Sequence, residues 1–359
     1  MREIAHFSVH YQQYLNEQKQ LNQNLPLFAT PEFLQQAYQA MLRTRIFDQK
    51  AVALQRTGQL GTYPSILGQE AISVAVGMAL YQQDVFIPYY RDHGAQLLRG
   101  HKMQDLLLYW GGDERGNAAG AARDLPVCVP IATQLGHAAG VAAAKKIRQE
   151  EGVALVTIGD GGSSKGDFFE SLNLAGAWQL PLVVLLNNNQ WAISVPRNIQ
   201  CGAKTLAQKG IAAGVAVQQV DGNDIVAVYE AIMQAKERAA SHKGATLIEA
   251  VSYRLSDHTT ADDATRYRGK DEVSDAWAKE PIARLRDFMI GCGWWSEQQE
   301  KHWVETCQRE VEAEVKAYLA VPPDTPESMF DHLYAQWPAA MEEQFTLLED
   351  KIQRNGGGK

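Results

Sequence analysis

Long apolar runs are missing from this chain. Stretches such as PLVVLL are far too short to span a bilayer, and the N-terminal MREIAHFSVHYQQYLNEQKQ has no apolar core of the kind a signal peptide carries. These absences predict a soluble protein of the cytoplasm. Cysteine is scarce as well: Cys128, Cys201, Cys292 and Cys307 are scattered, with no CxxC and no metal-ligand spacing, as suits a reducing compartment. Positive charge is in deficit, with 34 Lys and Arg against 42 Asp and Glu and a net charge of -8. That balance excludes the basic footprint that a nucleic-acid surface needs. No GxGxxG fingerprint follows a strand-like run, no Walker-type GxxxxGK[ST] occurs, and there are no internal repeats.

What is present is ordinary globular composition: 359 residues, 45% hydrophobic and 21% charged, enough for one large α/β domain with appendages. Residues 1–29 are polar and rich in Gln and Asn, and read as an extended N-terminal arm. TPEFLQQAYQAMLRTRIFDQKAVALQRTG reads as a helix, with Thr30 to cap it, Pro31 at its first position and Gly58 to end it. Further on, DVFIPYY, VALVTIG, PLVVLLN, AVQQV and TLIEAVSYR read as strands. Between them lie helical patterns such as GQEAISVAVGMAL, QLGHAAGVAAAKKIRQEEG, GDFFESLNLAGAWQ and DGNDIVAVYEAIMQAKERAA. Alternating strands and helices, with strands apolar on both faces, predict a mostly parallel sheet flanked by helices on both sides. This α/β domain is expected over 30–280. The pattern from Pro281 onward is helical, giving a C-terminal extension over 281–359 whose tail IQRNGGGK should fray.

The stretch VALVTIGDGGSSKGDFFESLNLAGAWQLPLVVLLNNNQWAIS holds the most chemistry. Ligands of parallel sheets bind beyond the carboxyl ends of the strands, and Asp160 and Asn189 each fall just past an apolar strand. A carboxylate oxygen and a carboxamide oxygen are hard ligands suited to Mg²⁺ or Ca²⁺, and Mg²⁺ fills its octahedron with phosphate oxygens and water. Gly159, Gly161 and Gly162 let backbone approach a phosphate, and the helix that follows offers free N–H groups. GDG alone is more often a turn, and NNN alone a solvated loop. The pair, with Asn189 29 residues after Asp160, is much rarer and points to a Mg²⁺–diphosphate site.

This segment resembles the thiamine diphosphate motif. Together with TRIFDQKAVALQRTGQLG, GQEA, PYYRDHG, PIATQ, LIEAVSYRLSDHTTADDATRYR and GWWSEQQE, most of the chain is similar to the α subunit of the E1 component of 2-oxo acid dehydrogenase complexes. The resemblance implies the thiamine diphosphate-binding fold. It implies Mg²⁺ held by Asp160, Asn189 and the main-chain carbonyl of Trp191, with backbone N–H groups near Gly161 and Gly162 on the diphosphate. It also assigns Tyr90 and Arg91 to diphosphate oxygens, Ile131 to propping the cofactor in its bent form, and a potassium site in some relatives to Thr133 and Gln134. His258 becomes the acid–base residue that lines the site and assists acyl transfer. On residue pattern alone, Arg91 would be a surface turn, Ile131 core, and His258 a loop histidine bonded to a neighbouring aspartate. His93 is a weaker acid–base candidate, and His137 is expected to pack on its helix. Arg266 and Arg268 are expected to order the histidine loop through its aspartates. Thr259 occupies the position of a phosphorylatable serine in mitochondrial relatives, a partial match from which no regulation is predicted.

The resemblance further implies half an enzyme. The glutamate that activates the aminopyrimidine comes from a β subunit, and this chain shows only one diphosphate module, so an α₂β₂ assembly is expected. Glu170 reads equally well as a residue of communication across that assembly and as an ordinary helix glutamate. The implied activity is decarboxylation of a small-molecule 2-oxo acid and acyl transfer to the lipoyl group of a partner E2 protein. TRIFDQ and DDATRYR favour pyruvate dehydrogenase. PIATQ, DHTTADD and GWWSEQQE lean towards branched-chain 2-oxo acids such as 3-methyl-2-oxobutanoate, and acetoin dehydrogenase stands third. Mitochondrial pyruvate enzymes carry a histidine where this chain has Pro64. Two further classes are disfavoured. A phosphate-binding α/β protein without thiamine chemistry would need a Walker or dinucleotide loop, and a scaffold subunit would lack Asp160, Asn189 or His258.

Overall fold

A computed structural model gives the structure of the protein, described for residues 1–118, 123–331 and 333–354. Contacts divide the chain into two units, Met1–Val315 and Lys316–Lys359. The first unit holds eight strands: β1 Tyr11–Gln12, β2 Val85–Ile87, β3 Ala154–Gly159, β4 Leu182–Asn188, β5 Trp191–Ala192, β6 Val195–Pro196, β7 Ala216–Asp221 and β8 Thr246–Val251. Six of them form one sheet in the order β1-β7-β8-β4-β3-β2, and every pairing in it is parallel. The remaining two, β5 and β6, make a small antiparallel hairpin just past β4.

The central strands read as unbroken apolar runs because both of their faces are covered. Successive side chains of a strand point to opposite faces. Accordingly Leu155, Val183, Leu185, Ile248 and Ala250 join one core with the helices Pro31–Arg56, Glu70–Ala79, Ile225–Ala240 and Pro281–Gly291. Their neighbours Val156, Ile158, Leu182, Val184, Leu186 and Leu247 join a second core with the helices Thr133–Arg148 and Gly166–Ala177. The alternating strands and helices thus fold as the expected parallel sheet with helices on both faces.

Local signals set the helix ends. Thr30 Oγ1 accepts the N–H of Phe33 at 3.3 Å, Pro31 opens the helix, and Gly58 leaves it at φ 74°. Asp224 caps Ile225–Ala240 through Val226 N at 3.1 Å. Its other oxygen accepts the N–H groups of Tyr14 and Leu15 at 2.6 and 2.9 Å. One buried carboxylate therefore both starts a helix and ties down the N-terminal arm. The arm is more ordered than a free extension: Tyr11 and Gln12 pair with Gln219 and Val220 and become the edge strand of the sheet.

The second unit contains the helix Ala339–Arg354 and an aromatic cluster of Phe330, Trp337 and Phe345, with ring centroids 5.1–5.6 Å apart. Ile352–Arg354 of the tail are helical, and residues 355–359 lie outside the described residues. No helix among the described residues is long and apolar enough to cross a membrane.

Leu185 is fully buried at the middle of β4. Leu185→Ala removes buried methyl groups from a packed core and should cost about 2–5 kcal/mol of stability. Chemical denaturation of the two proteins measures it, and a loss below about 1 kcal/mol would contradict the covered central strand.

Candidate active site

Four adjacent strands deliver the sequence candidates to one edge. The register aligns Ile87 with Val156, Gly159 with Asn187, and Asn188 with Val251. Tyr90 and Arg91 therefore follow β2, Asp160 follows β3, Asn189 and Trp191 follow β4, and His258 follows β8. Neighbouring strands lie about 4.8 Å apart, so these groups share one carboxyl edge.

Asp160 is 2% exposed, and its Oδ2 has no hydrogen-bond partner. Burial pushes its carboxyl up to about 6, while main-chain N–H groups and the charges of Arg254 and Arg197 pull the other way. The loop that carries it is held from outside. Asp160 O accepts from Ser163 Oγ and from Gln200 Nε2, each at 2.7 Å, and Lys209 Nζ reaches Ser163 O at 2.6 Å. A Cβ on Gly161 would come within 2.9 Å of Ala192 Cβ. Glycine is needed there because the β5–β6 hairpin lies against the loop.

Asn189 is buried and completes a turn in which its Oδ1 accepts Trp191 N–H at 3.2 Å. Gln190 and Ile193 adopt φ 71° and 56°, a left-handed conformation that non-glycine residues rarely take. Arg254, fully buried, holds this turn through Trp191 O at 3.3 Å and Ile193 O at 2.8 Å. A carboxylate oxygen without a partner, a carboxamide oxygen and a carbonyl oxygen thus lie just past the ends of β3 and β4. The set is a hard-oxygen one with a single negative charge, a donor chemistry suited to Mg²⁺. No cluster of three or more His, Cys, Asp and Glu occurs among the described residues, so a thiophilic or all-carboxylate metal site is not formed there.

Arg91 is 1% exposed. Its guanidinium donates to Ser65 O at 2.6 Å and to His258 Nδ1 at 3.0 Å, and also bonds His258 O. Arginine has no acceptor, so Nδ1 accepts and the imidazole proton sits on Nε2. Burial, then the charges of Arg91 and Arg254, lowers the His258 pKa to about 3. Tyr90 is half-buried, with its ring edge-on to His258 at 6.3 Å and under the Arg91 guanidinium at 5.2 Å. Ile131 is 43% exposed, and its Cγ2 would lie 3.3 Å from a Cβ on Gly162, so it overhangs the glycine loop. Gly159 at the end of β3 has ordinary spacing to Tyr89. Gln134 bonds Thr157 O through Nε2 at 3.1 Å and leaves a buried Oε1 without a partner, next to a half-buried Thr133.

Other candidates fall elsewhere. His93 is fully buried under the site, stacked on Tyr63 and bonded to its hydroxyl at 3.1 Å. His137 and Glu170 are exposed on their helices, so His137 does not pack as expected. The histidine loop is ordered differently from expectation. Arg268 bonds the carbonyls of Arg254, Leu255 and Ser256, whereas Arg266 is exposed. The loop aspartates instead accept main-chain N–H groups, Asp262 from His258 at 2.9 Å and Asp257 from Ala264 at 2.9 Å. Sequence reasoning missed Arg254, Lys209, Gln200 and Gln69. Only Gln69 carried a signal, as part of the GQEA motif.

Comparison with known proteins gives the family. Residues 38–327 match the family described as dehydrogenase E1 component. A pyruvate dehydrogenase E1 component subunit alpha of Acholeplasma laidlawii is 38% identical over 330 residues, 91% of this chain and 96% of the relative. Proteins of the same name from Staphylococcus epidermidis and Staphylococcus aureus are each 38% identical over 333 residues, 92% of this chain and 90% of theirs. The chain belongs to the dehydrogenase E1 component family.

Proposed function

We propose that this chain is the α component of a pyruvate dehydrogenase, binding thiamine diphosphate through Mg²⁺ and acting with a β subunit on pyruvate and on the lipoyl group of an E2 protein. Family membership implies the cofactor, and the relatives named for pyruvate dehydrogenase favour that substrate. The observation that carries the reading is the buried, partnerless Asp160 Oδ2 at the same sheet edge as Asn189 Oδ1 and the Trp191 carbonyl.

When bound, thiamine diphosphate supplies the electron sink for decarboxylation of a 2-oxo acid. Asp160, Asn189 and the Trp191 carbonyl would hold Mg²⁺, with Gly161 and Gly162 leaving main-chain N–H groups open to the diphosphate. Arg91 and Tyr90 would donate to diphosphate oxygens, as charge-assisted and neutral donors respectively. Gly159 ends β3 directly before the Asp160 loop, and Ile131 would support the cofactor from its overhang. The partnerless Oε1 of Gln134 beside Thr133 supports a potassium ion there.

His258 would assist acyl transfer as a hydrogen-bond donor. Its Nδ1 is occupied by Arg91, so the Nε2–H is the end free to hydrogen-bond the lipoyl thiolate as it forms. With its pKa lowered to about 3, the imidazole is neutral throughout the physiological range. Cofactor-free protein should therefore show no His258 titration between about pH 5 and 8 by NMR, whereas titration near 6.5 would contradict the Arg91 contact.

Co-expression with a β chain, followed by measurement of CO₂ release from pyruvate and from 3-methyl-2-oxobutanoate with thiamine diphosphate and Mg²⁺, tests the function. Pyruvate should be preferred. Preference for the branched acid would replace the substrate, and activity of the lone chain would reject the two-subunit reading. Asp160→Ala should abolish cofactor-dependent activity, and retained activity would sink the metal assignment. His258→Gln should slow acyl transfer to lipoyl by about 10²–10⁴-fold while decarboxylation with an artificial electron acceptor is far less affected. Equal loss in the two assays would remove the histidine from acyl transfer.

A further inference from the structure

We propose that Gln69 is a positioning residue of this site: its carboxamide oxygen sets the orientation of Asn189, so that oxygen and not nitrogen faces the metal position. The inference rests on the Mg²⁺–diphosphate reading above and goes beyond the residues assigned there.

The carboxamide of an asparagine is nearly symmetric in shape, so its orientation follows from its partners. A main-chain N–H only donates. Trp191 N–H lies 3.2 Å from the Asn189 carboxamide, so the atom it meets is Oδ1. The Nδ2 of Asn189 must then face Gln69, at 2.9 Å, and the atom it meets there must accept; that atom is Gln69 Oε1. The same oxygen takes a second donor, Asn187 Nδ2, at 3.0 Å. Asn187 in turn donates to Tyr89 Oη at 2.8 Å and accepts from Ser252 Oγ at 2.7 Å. One buried oxygen thus receives two N–H donors from alternate residues on one face of the β4 end. With Gln69 turned over, its own NH₂ would confront two other NH₂ groups, and Asn189 would have to rotate and present nitrogen to the metal.

Gln69 has no competing duty. It precedes the helix Glu70–Ala79 without capping it through its side chain. It is 0% exposed, and its Nε2 has no partner. A residue kept only to fill space would not leave a buried amide half-bonded, since apolar replacements of similar shape carry no such penalty. The acceptor role toward Asn187 and Asn189 accounts for a carboxamide at this buried position. Residues that orient a metal ligand through hydrogen bonds typically change metal affinity by about 10–100-fold when removed.

The test uses the full chain assembled with its β chain and follows thiamine diphosphate binding by tryptophan fluorescence as Mg²⁺ is titrated. Gln69→Met removes the acceptor at similar volume, and the Mg²⁺ half-saturation should rise about 10–100-fold. At saturating Mg²⁺ and cofactor its kcat should return to within about threefold of wild type, because Gln69 touches no reacting atom. Gln69→Glu keeps an acceptor oxygen toward both asparagines and should hold the half-saturation within about threefold of wild type. An unchanged half-saturation in Gln69→Met, a kcat that stays depressed at saturation, or a rise beyond about tenfold in Gln69→Glu would each overturn the assignment. The Gln69→Glu result decides the matter even if Gln69→Met does not assemble. A wild-type complex whose cofactor binding ignores Mg²⁺ would instead overturn the metal site itself.

Discussion

A carboxylate placed at the buried end of a parallel strand must either be neutralised or be met by a cation, because the sheet that carries it excludes the water that would hydrate it. Asp160 stands under that constraint. Its Oδ2 has no partner, and burial alone drives its carboxyl towards the protonated form. Much of the surrounding architecture serves to keep this group where it is. β3 and β4 are apolar on both faces and are each paired with a neighbouring strand on both sides. Gly161 lets the β5–β6 hairpin close against the loop, and Lys209, Gln200 and Arg254 bind main-chain oxygens around it. Positive charge gathers on the same edge: Arg91 and Arg254 both reach His258 Nδ1, at 3.0 and 3.4 Å. An edge with two buried guanidinium groups and one buried carboxylate suits the proposed Mg²⁺ diphosphate, an anion bridged by a cation.

The same placement ties the proposed role of His258 to the proposed cofactor grip. Arg91 cannot serve a diphosphate and His258 without its guanidinium sharing donors between them, and its third contact, Ser65 O, fixes the guanidinium plane from below. The imidazole is therefore oriented by a group that would also feel the cofactor. The main-chain N–H of His258 is further bound to Asp262, which also takes the Tyr267 hydroxyl, so the loop is held through its backbone as well as through the ring Nδ1.

Much of the fold was legible because its determinants are local. Thr30, Pro31 and Asp224 mark helix starts by side-chain chemistry, and the runs that became β3, β4 and β8 announce burial on both faces. The parallel sheet then obliges Asp160, Asn189 and His258 to share one edge, so their meeting also followed from order along the chain. What stayed hidden depends on distant partners. The β5–β6 hairpin is built on non-glycine residues at positive φ, Gln190 and Ile193, and Arg254 from another strand end stabilises that turn. The edge strand Tyr11–Gln12 sits in a polar segment with no strand pattern and owes its place to Asp224, more than 200 positions away. Arg268 orders the histidine loop through carbonyls, which every residue possesses, so no residue type advertises it. Gln69 was visible only as part of a motif, and its work becomes apparent once Asn187 and Asn189 are seen on one face.

The central claim is that a divalent cation bridges a diphosphate to Asp160, Asn189 and the Trp191 carbonyl. Its most direct test is anomalous diffraction from crystals of the α–β complex grown with thiamine diphosphate and with Mn²⁺ in place of Mg²⁺. The account predicts one anomalous peak within roughly 2–2.5 Å of an Asp160 carboxylate oxygen, Asn189 Oδ1 and the Trp191 carbonyl oxygen. A cofactor bound with its metal on other residues, or bound with no metal between it and Asp160, would contradict the claim.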